Sequence, residues 1–102
     1  MRVVQSNAAK TDVRGAVVHY RDEAGTEIAR EFIDALEAAI RQIGAWPGVG
    51  STRFADLLGI PELRSFALQR FPYVIFCMER SDCVDVWRVL HGQRDIPSTL
   101  RP

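Results

Sequence analysis

His91, Arg94 and Asp95 fall within five consecutive residues near the end of the chain. A histidine beside an arginine at a strand end can supply a general acid and a clamp for a phosphate. His91 and Asp95 can equally well satisfy backbone groups in a turn. Arg64, Arg70 and Arg88 lie on stretches that read as neighbouring strands. If they converge, they form an electropositive patch on an otherwise neutral chain. If they do not, they are surface arginines, or partners of Glu62, Glu79 and Asp85. Twelve of the thirteen basic residues are arginine, Lys10 being the lysine. A GC-rich coding bias produces this pattern, and so does a need for forked contacts to carboxylate or phosphate.

The cysteines offer less. A two-residue turn at Ser81-Asp82 places Cys83 opposite Arg80 and Cys77 opposite Val86, so no disulfide is expected. Neither thiol has a base beside it in sequence, which argues against a nucleophile. His19 and His91 are the two histidines and no Cys-x-x-Cys occurs, too few ligands for a structural metal. There is no Gly-x-Gly-x-x-Gly and no lysine phosphate loop, so no cofactor is expected. Gly48-Val49-Gly50-Ser51 reads as the shaped exit from a helix.

These residues need elements to position them. Arg2–Gln5 reads as a short strand, and Ser6 or Asn7 can cap the helix that follows. Ala9, Val13, Ala16, Val17 and Tyr20 make one face of that helix. Gly25 stops it and Thr26 begins the next. Ile28, Phe32, Leu36, Ile40 and Ile43 stripe the second helix, which Gly44 ends. Arg30–Asp34 and Glu37–Arg41 are expected as pairs on its outer face. The connection is so short that the two helices form a hairpin. Phe54, Leu57 and Leu58 fit one helical turn before Gly59. Leu63–Phe71 reads as a strand with Phe66 and Leu68 on one face. Tyr73–Met78 is apolar throughout, as in a central strand covered on both faces. Cys83–Leu90 returns from a turn at 79–82. Its alternation slips between Val86 and Trp87, so either both faces are half buried or a bulge re-aims it. At most one helical turn, Pro97–Leu100, ends the chain. The order β-α-α-β-β-β with a short C-terminal helix is an α+β two-layer domain, with the N-terminal strand and helical hairpin packed on an antiparallel sheet.

One hundred and two residues make a single domain, 1–102. Thirteen basic and thirteen acidic residues cancel, and they divide almost evenly on either side of Gly50. That excludes binding by bulk positive charge. The chain shows no signal-like apolar run and no stretch of membrane-spanning length, so a soluble cytoplasmic protein is expected, with no membrane partner.

Four segments in order carry a resemblance: Phe32-Ile33-Asp34-Ala35-Leu36-Glu37-Ala38-Ala39-Ile40, Pro47-Gly48-Val49-Gly50, Leu63-Arg64-Ser65-Phe66 leading to Phe71-Pro72-Tyr73-Val74-Ile75-Phe76, and Val86-Trp87-Arg88-Val89-Leu90-His91-Gly92-Gln93-Arg94-Asp95-Ile96. Together they resemble the RelE/ParE superfamily of toxins from type II toxin–antitoxin systems, more closely the ParE-like branch. The resemblance implies a strand, a helical hairpin and an antiparallel sheet. It also implies a small antitoxin, ParD-like or of another kind, that folds onto the toxin. Tyr20, Phe32, Phe66 and Phe76 are then candidate antitoxin contacts, unless Tyr20, Phe32 and Trp46 are simply core. ParE-like members are associated with poisoning DNA gyrase, which would assign target binding to Arg64, Arg70, Arg88, His91 and Arg94. The alternative is a RelE-like ribonuclease acting on messenger RNA in the ribosome, with His91 as acid and Arg64 and Arg94 on the phosphate. A neutral chain with no aromatic after Trp87 fits the first better. A third possibility is an inactive module that only binds its antitoxin.

Overall fold

A computed structural model of the chain describes residues 1–93, 95 and 96. It comprises β1 (Arg2–Gln5), α1 (Asn7–Ala24), α2 (Thr26–Ala45), a 3-10 turn at Pro47–Val49, α3 (Arg53–Leu58), β2 (Leu63–Ala67), β3 (Tyr73–Glu79) and β4 (Cys83–His91). The expected turn Pro97–Leu100 lies outside the described residues.

Local chemistry accounts for the boundaries. The Ser6 hydroxyl caps α1 by accepting the Ala9 N–H at 2.9 Å. Gly25, at φ 95°, separates the two helices. Gly59 closes α3 in the left-handed conformation at φ 67°. The strand expected over residues 63–71 ends earlier, at Ala67. There the chain turns: Leu68 N–H bonds Tyr73 O at 3.0 Å, and Arg70 adopts a positive φ of 72°.

The sheet runs β1-β4-β3-β2. The meander β2-β3-β4 is antiparallel, but β1 joins it beside β4 in parallel, so the sheet is mixed. The helical hairpin covers one face. Phe32, Leu36, Ile43, Tyr73, Ile75, Cys77, Val84, Val86 and Val89 form that core, with Val3, Tyr20 and Phe66 packed against it. Tyr20, Phe32, Phe71 and Tyr73 stack with ring centroids 5.2–6.0 Å apart. A smaller core on the opposite face joins Ala55, Leu63, Phe76, Leu90 and Ile96. The uniformly apolar β3 is therefore buried on both sides, as its sequence implies.

The slipped alternation of β4 is a bulge. Phe76 pairs with Arg88 and Cys77 with Val86, which leaves Trp87 without a partner on β3. The extra residue returns Val89 to the helix-side core and Leu90 to the other.

On the outer face of α2, Arg30 turns back to Glu27 at 3.2 Å rather than forward to Asp34. The Glu37–Arg41 pair also does not form among the described residues. Neither difference carries much stability at this exposure.

Candidate functional site

The bulge and the departure of β1 create a local problem. The last β1 contact is Ser6 N–H to Val86 O at 3.0 Å. Beyond it, β4 has backbone groups facing away from β3 with no strand beside them among the described residues. The start of α1 supplies the partners. The Ser6 hydroxyl donates to Trp87 O at 2.8 Å. The Asp12 carboxylate accepts Val89 N–H at 3.0 Å. The same carboxylate takes the Arg88 guanidinium in a fork, Nε to Oδ2 and Nη2 to Oδ1, both 2.8 Å. The pair is mostly buried, and this hydrogen bonding raises the Arg88 pKa above its ordinary value. Arg88 is thus committed to holding α1 on the bulge, and none of its expected partners is the real one.

Arg64 does comparable work at the far side of the sheet. Its Nη1 donates to Gly48 O at 3.2 Å and Gly50 O at 3.1 Å. Ser51 and Ser65 exchange backbone bonds of 2.9 and 3.0 Å, so the helix exit is stitched onto β2. A side chain at Gly50 would lie 2.6 Å from the Phe66 ring, so this position requires glycine for close approach. The glycine-containing loop shapes the helix exit as its sequence implies.

Arg70 extends from the β2–β3 turn to Glu31 of α2, Nη2 to Oε1 3.1 Å, with Arg70 mostly in solvent and Glu31 partly covered. Glu31 and Arg70 rim a groove of about 520 Å³ between α2 and this turn, floored by Ala35, Ala38 and Ala39. His91 ends β4 with its ring edge-on to Tyr73, centroids 5.3 Å apart. Its Nδ1 accepts Gln93 N–H at 3.2 Å, and its own N–H donates to the Asp95 carboxylate at 3.0 Å. His91 and Asp95 therefore organise the turn that follows β4. Arg94 lies outside the described residues.

The proposed convergence of arginines is corrected: Arg64, Arg70 and Arg88 serve three separate contacts. The ribonuclease reading pairs His91 with Arg64, which stand on different strands. His91 registers with Tyr73 of β3, and Arg64 with Cys77 of the same strand. Four residues along the strand and two strand spacings across it separate their backbones by roughly 16 Å. Phe32 and Phe76 are sealed in the two cores and present no surface in the lone chain. Tyr20 and Phe66 remain half-buried, and Trp46 stands in solvent rather than in the core.

Asp12 was not legible as functional from motif spacing, yet a signal existed. It lies three residues after Ala9 and four before Ala16, on the buried stripe of α1. A carboxylate there needs a partner. Both cysteines are buried and unpaired. Burial pushes the Cys77 thiol up to about 12, so it is inert near neutrality. Among the described residues no cluster of His, Cys, Asp or Glu could hold a metal ion, and no helix is long and apolar enough to cross a membrane.

Comparison with known proteins adds to this geometry. The family described as "ParE toxin of type II toxin-antitoxin system, parDE" matches residues 3–96. A solved structure from P. aeruginosa, titled "Chromosomal ParDE TA system", superposes with a TM-score of 0.76 at 18% identity. The match covers 91% of this chain and 97% of that one, and at this identity it shows a shared fold. No curated protein matches the chain in sequence.

Proposed function

Because this chain belongs to the ParE toxin family of type II toxin–antitoxin systems, we propose that it acts in the cytoplasm by inhibiting DNA gyrase and is silenced by a co-encoded antitoxin. The family match across residues 3–96 carries the reading. The separation of His91 from Arg64 favours a binding toxin over a ribonuclease. Arg64 and Arg88 hold the scaffold, which leaves Arg70 and His91, with Arg94 beyond the described residues, as the contacts offered to the target.

The experiment is a gyrase assay with relaxed plasmid and the purified chain. Loss of supercoiling and trapped cleaved DNA are expected, weakened by His91→Ala or Arg70→Ala. Full supercoiling at saturating chain would overturn the reading. Messenger cleavage abolished by His91→Ala would replace it with the ribonuclease.

The antitoxin is assigned to the alanine-floored groove between α2 and the β2–β3 turn. Small side chains there let an amphipathic segment approach closely. Ala38→Arg should weaken capture by the product of the adjacent reading frame at least about tenfold, near 1.4 kcal/mol. Unchanged capture would exclude the groove.

A further inference from the structure

The free edge of the sheet is β1, and its hydrogen-bonding parity can be worked out. Ser6 N–H bonds Val86 O, and β1 runs parallel to β4 with Val4 beside Asp85 and Gln5 beside Val86. In a parallel ladder alternate residues turn both backbone groups to one neighbour. Arg2, Val4 and Ser6 therefore face β4, while Val3 and Gln5 direct their N–H and C=O outward. No strand meets them among the described residues. β1 has no proline, lysine or bulge; its shortness and the exposed Arg2 at its start are its restraints.

A second observation lies on the same rim. Val4 is 40% exposed and Met1 52%. The Met1 ammonium donates to Gly44 O at 2.7 Å, which places Trp46, 66% exposed, two residues from that contact. Exposed apolar side chains thus flank the unpaired edge.

We propose that this edge binds a second copy of the chain, β1 against β1 in antiparallel sense about a two-fold axis at Val4. The register follows from the outward residues. Val3 pairs with Gln5 of the second copy and Gln5 with its Val3, each pair exchanging both backbone bonds. Val4 meets its own twin at the axis as a closely spaced non-hydrogen-bonded pair, covering the exposed apolar side chain. Arg2 falls opposite Ser6, so no like charges face each other. Every other register centred on this strand matches fewer outward groups. The two sheets become one of eight strands, and the symmetry closes at two copies. Four-residue strands bury little area, so the dimer is of the weak, concentration-dependent class.

The test is sedimentation of the full chain over a wide concentration range, with hydrogen exchange at the Val3 and Gln5 amides. The expected result is a rise to twice the monomer mass, with both amides slowing as the dimer forms. Val4→Lys places two cations at the axis, and Gln5→Pro deletes an outward donor without touching a bond to β4. Both variants should stay monomeric while keeping the wild-type far-ultraviolet spectrum and cooperative melting. A chain that remains monomeric at millimolar concentration overturns the proposal. So does a dimer indifferent to both variants, or growth beyond two copies. If the lone chain is monomeric and these amides slow only with the adjacent reading frame's product, the edge belongs to a strand from that partner instead.

Discussion

The two sides of the sheet are closed by different means, although each uses one arginine. At β2 the outward backbone groups are met mainly by other backbone: Ser65 exchanges bonds with Ser51, and Leu63 N–H reaches Ile60 O. Arg64 only ties down the carbonyls of the arriving loop. At the far half of β4 the backbone groups are met by side chains, the Ser6 hydroxyl and the Asp12 carboxylate, with Arg88 balancing the charge. The cause is the bulge at Trp87. A straight strand can accept a backbone bridge, whereas a bulged one offers its groups at irregular angles that flexible side chains follow better. The β2 side should therefore fail through size, and the β4 side through lost charge and hydrogen bonding.

The largest expected effect is on the β4 side. Asp12→Ala leaves the mostly buried Arg88 guanidinium without its counter-charge and Val89 N–H without an acceptor. Together these cost about 3 kcal/mol in urea denaturation. The double variant Asp12→Ala/Arg88→Met should recover part of that loss, because the stranded charge has gone. A loss under about 0.5 kcal/mol, the range of ordinary surface changes, would show that α1 does not close this edge.

On the β2 side the matching change is Gly50→Ala. Its φ of −61° and ψ of 152° suit any residue, so the whole cost is contact. The added methyl meets the Phe66 ring at 2.6 Å and Arg64 Cβ at 2.9 Å. About 2 kcal/mol is expected from such overpacking. An unchanged midpoint would mean that the loop can lift from β2, and the contrast between the two sides would weaken.

These two sites also mark the limits of the sequence. The helices, the hairpin register with Cys77 opposite Val86, and the doubly buried β3 were all legible, because periodicity and turn length determine them. The slip after Val86 announced an irregularity in β4, and the structure resolves it as a bulge. The parallel addition of β1 was not legible, because four residues carry no pairing preference. The arginines misled for a related reason. Spacing placed them on adjacent strands, but their partners Asp12, Glu31 and the loop carbonyls come from elements distant in sequence. A local reading sees Glu62, Glu79 and Asp85 first.

The smallest expected effect concerns the turn that ends β2. Arg70 holds a left-handed backbone at φ 72°, which costs a residue with Cβ about 1 kcal/mol. Its pair with Glu31, mostly in solvent at the arginine and partly covered at the carboxylate, returns little. Arg70→Gly removes the strain and the weak ion pair, and loosens the unfolded chain by a comparable amount. The three contributions nearly cancel, so the free energy of unfolding should stay within about 0.5 kcal/mol of wild type. Arg70→Val keeps the strain, adds β-branching at a left-handed position, and should cost at least about 1 kcal/mol more than glycine. If glycine instead destabilises as much as valine, the Glu31 contact is what orders this turn. The β2 side would then rest on a charged pair as the β4 side does, and the distinction between them would be one of degree.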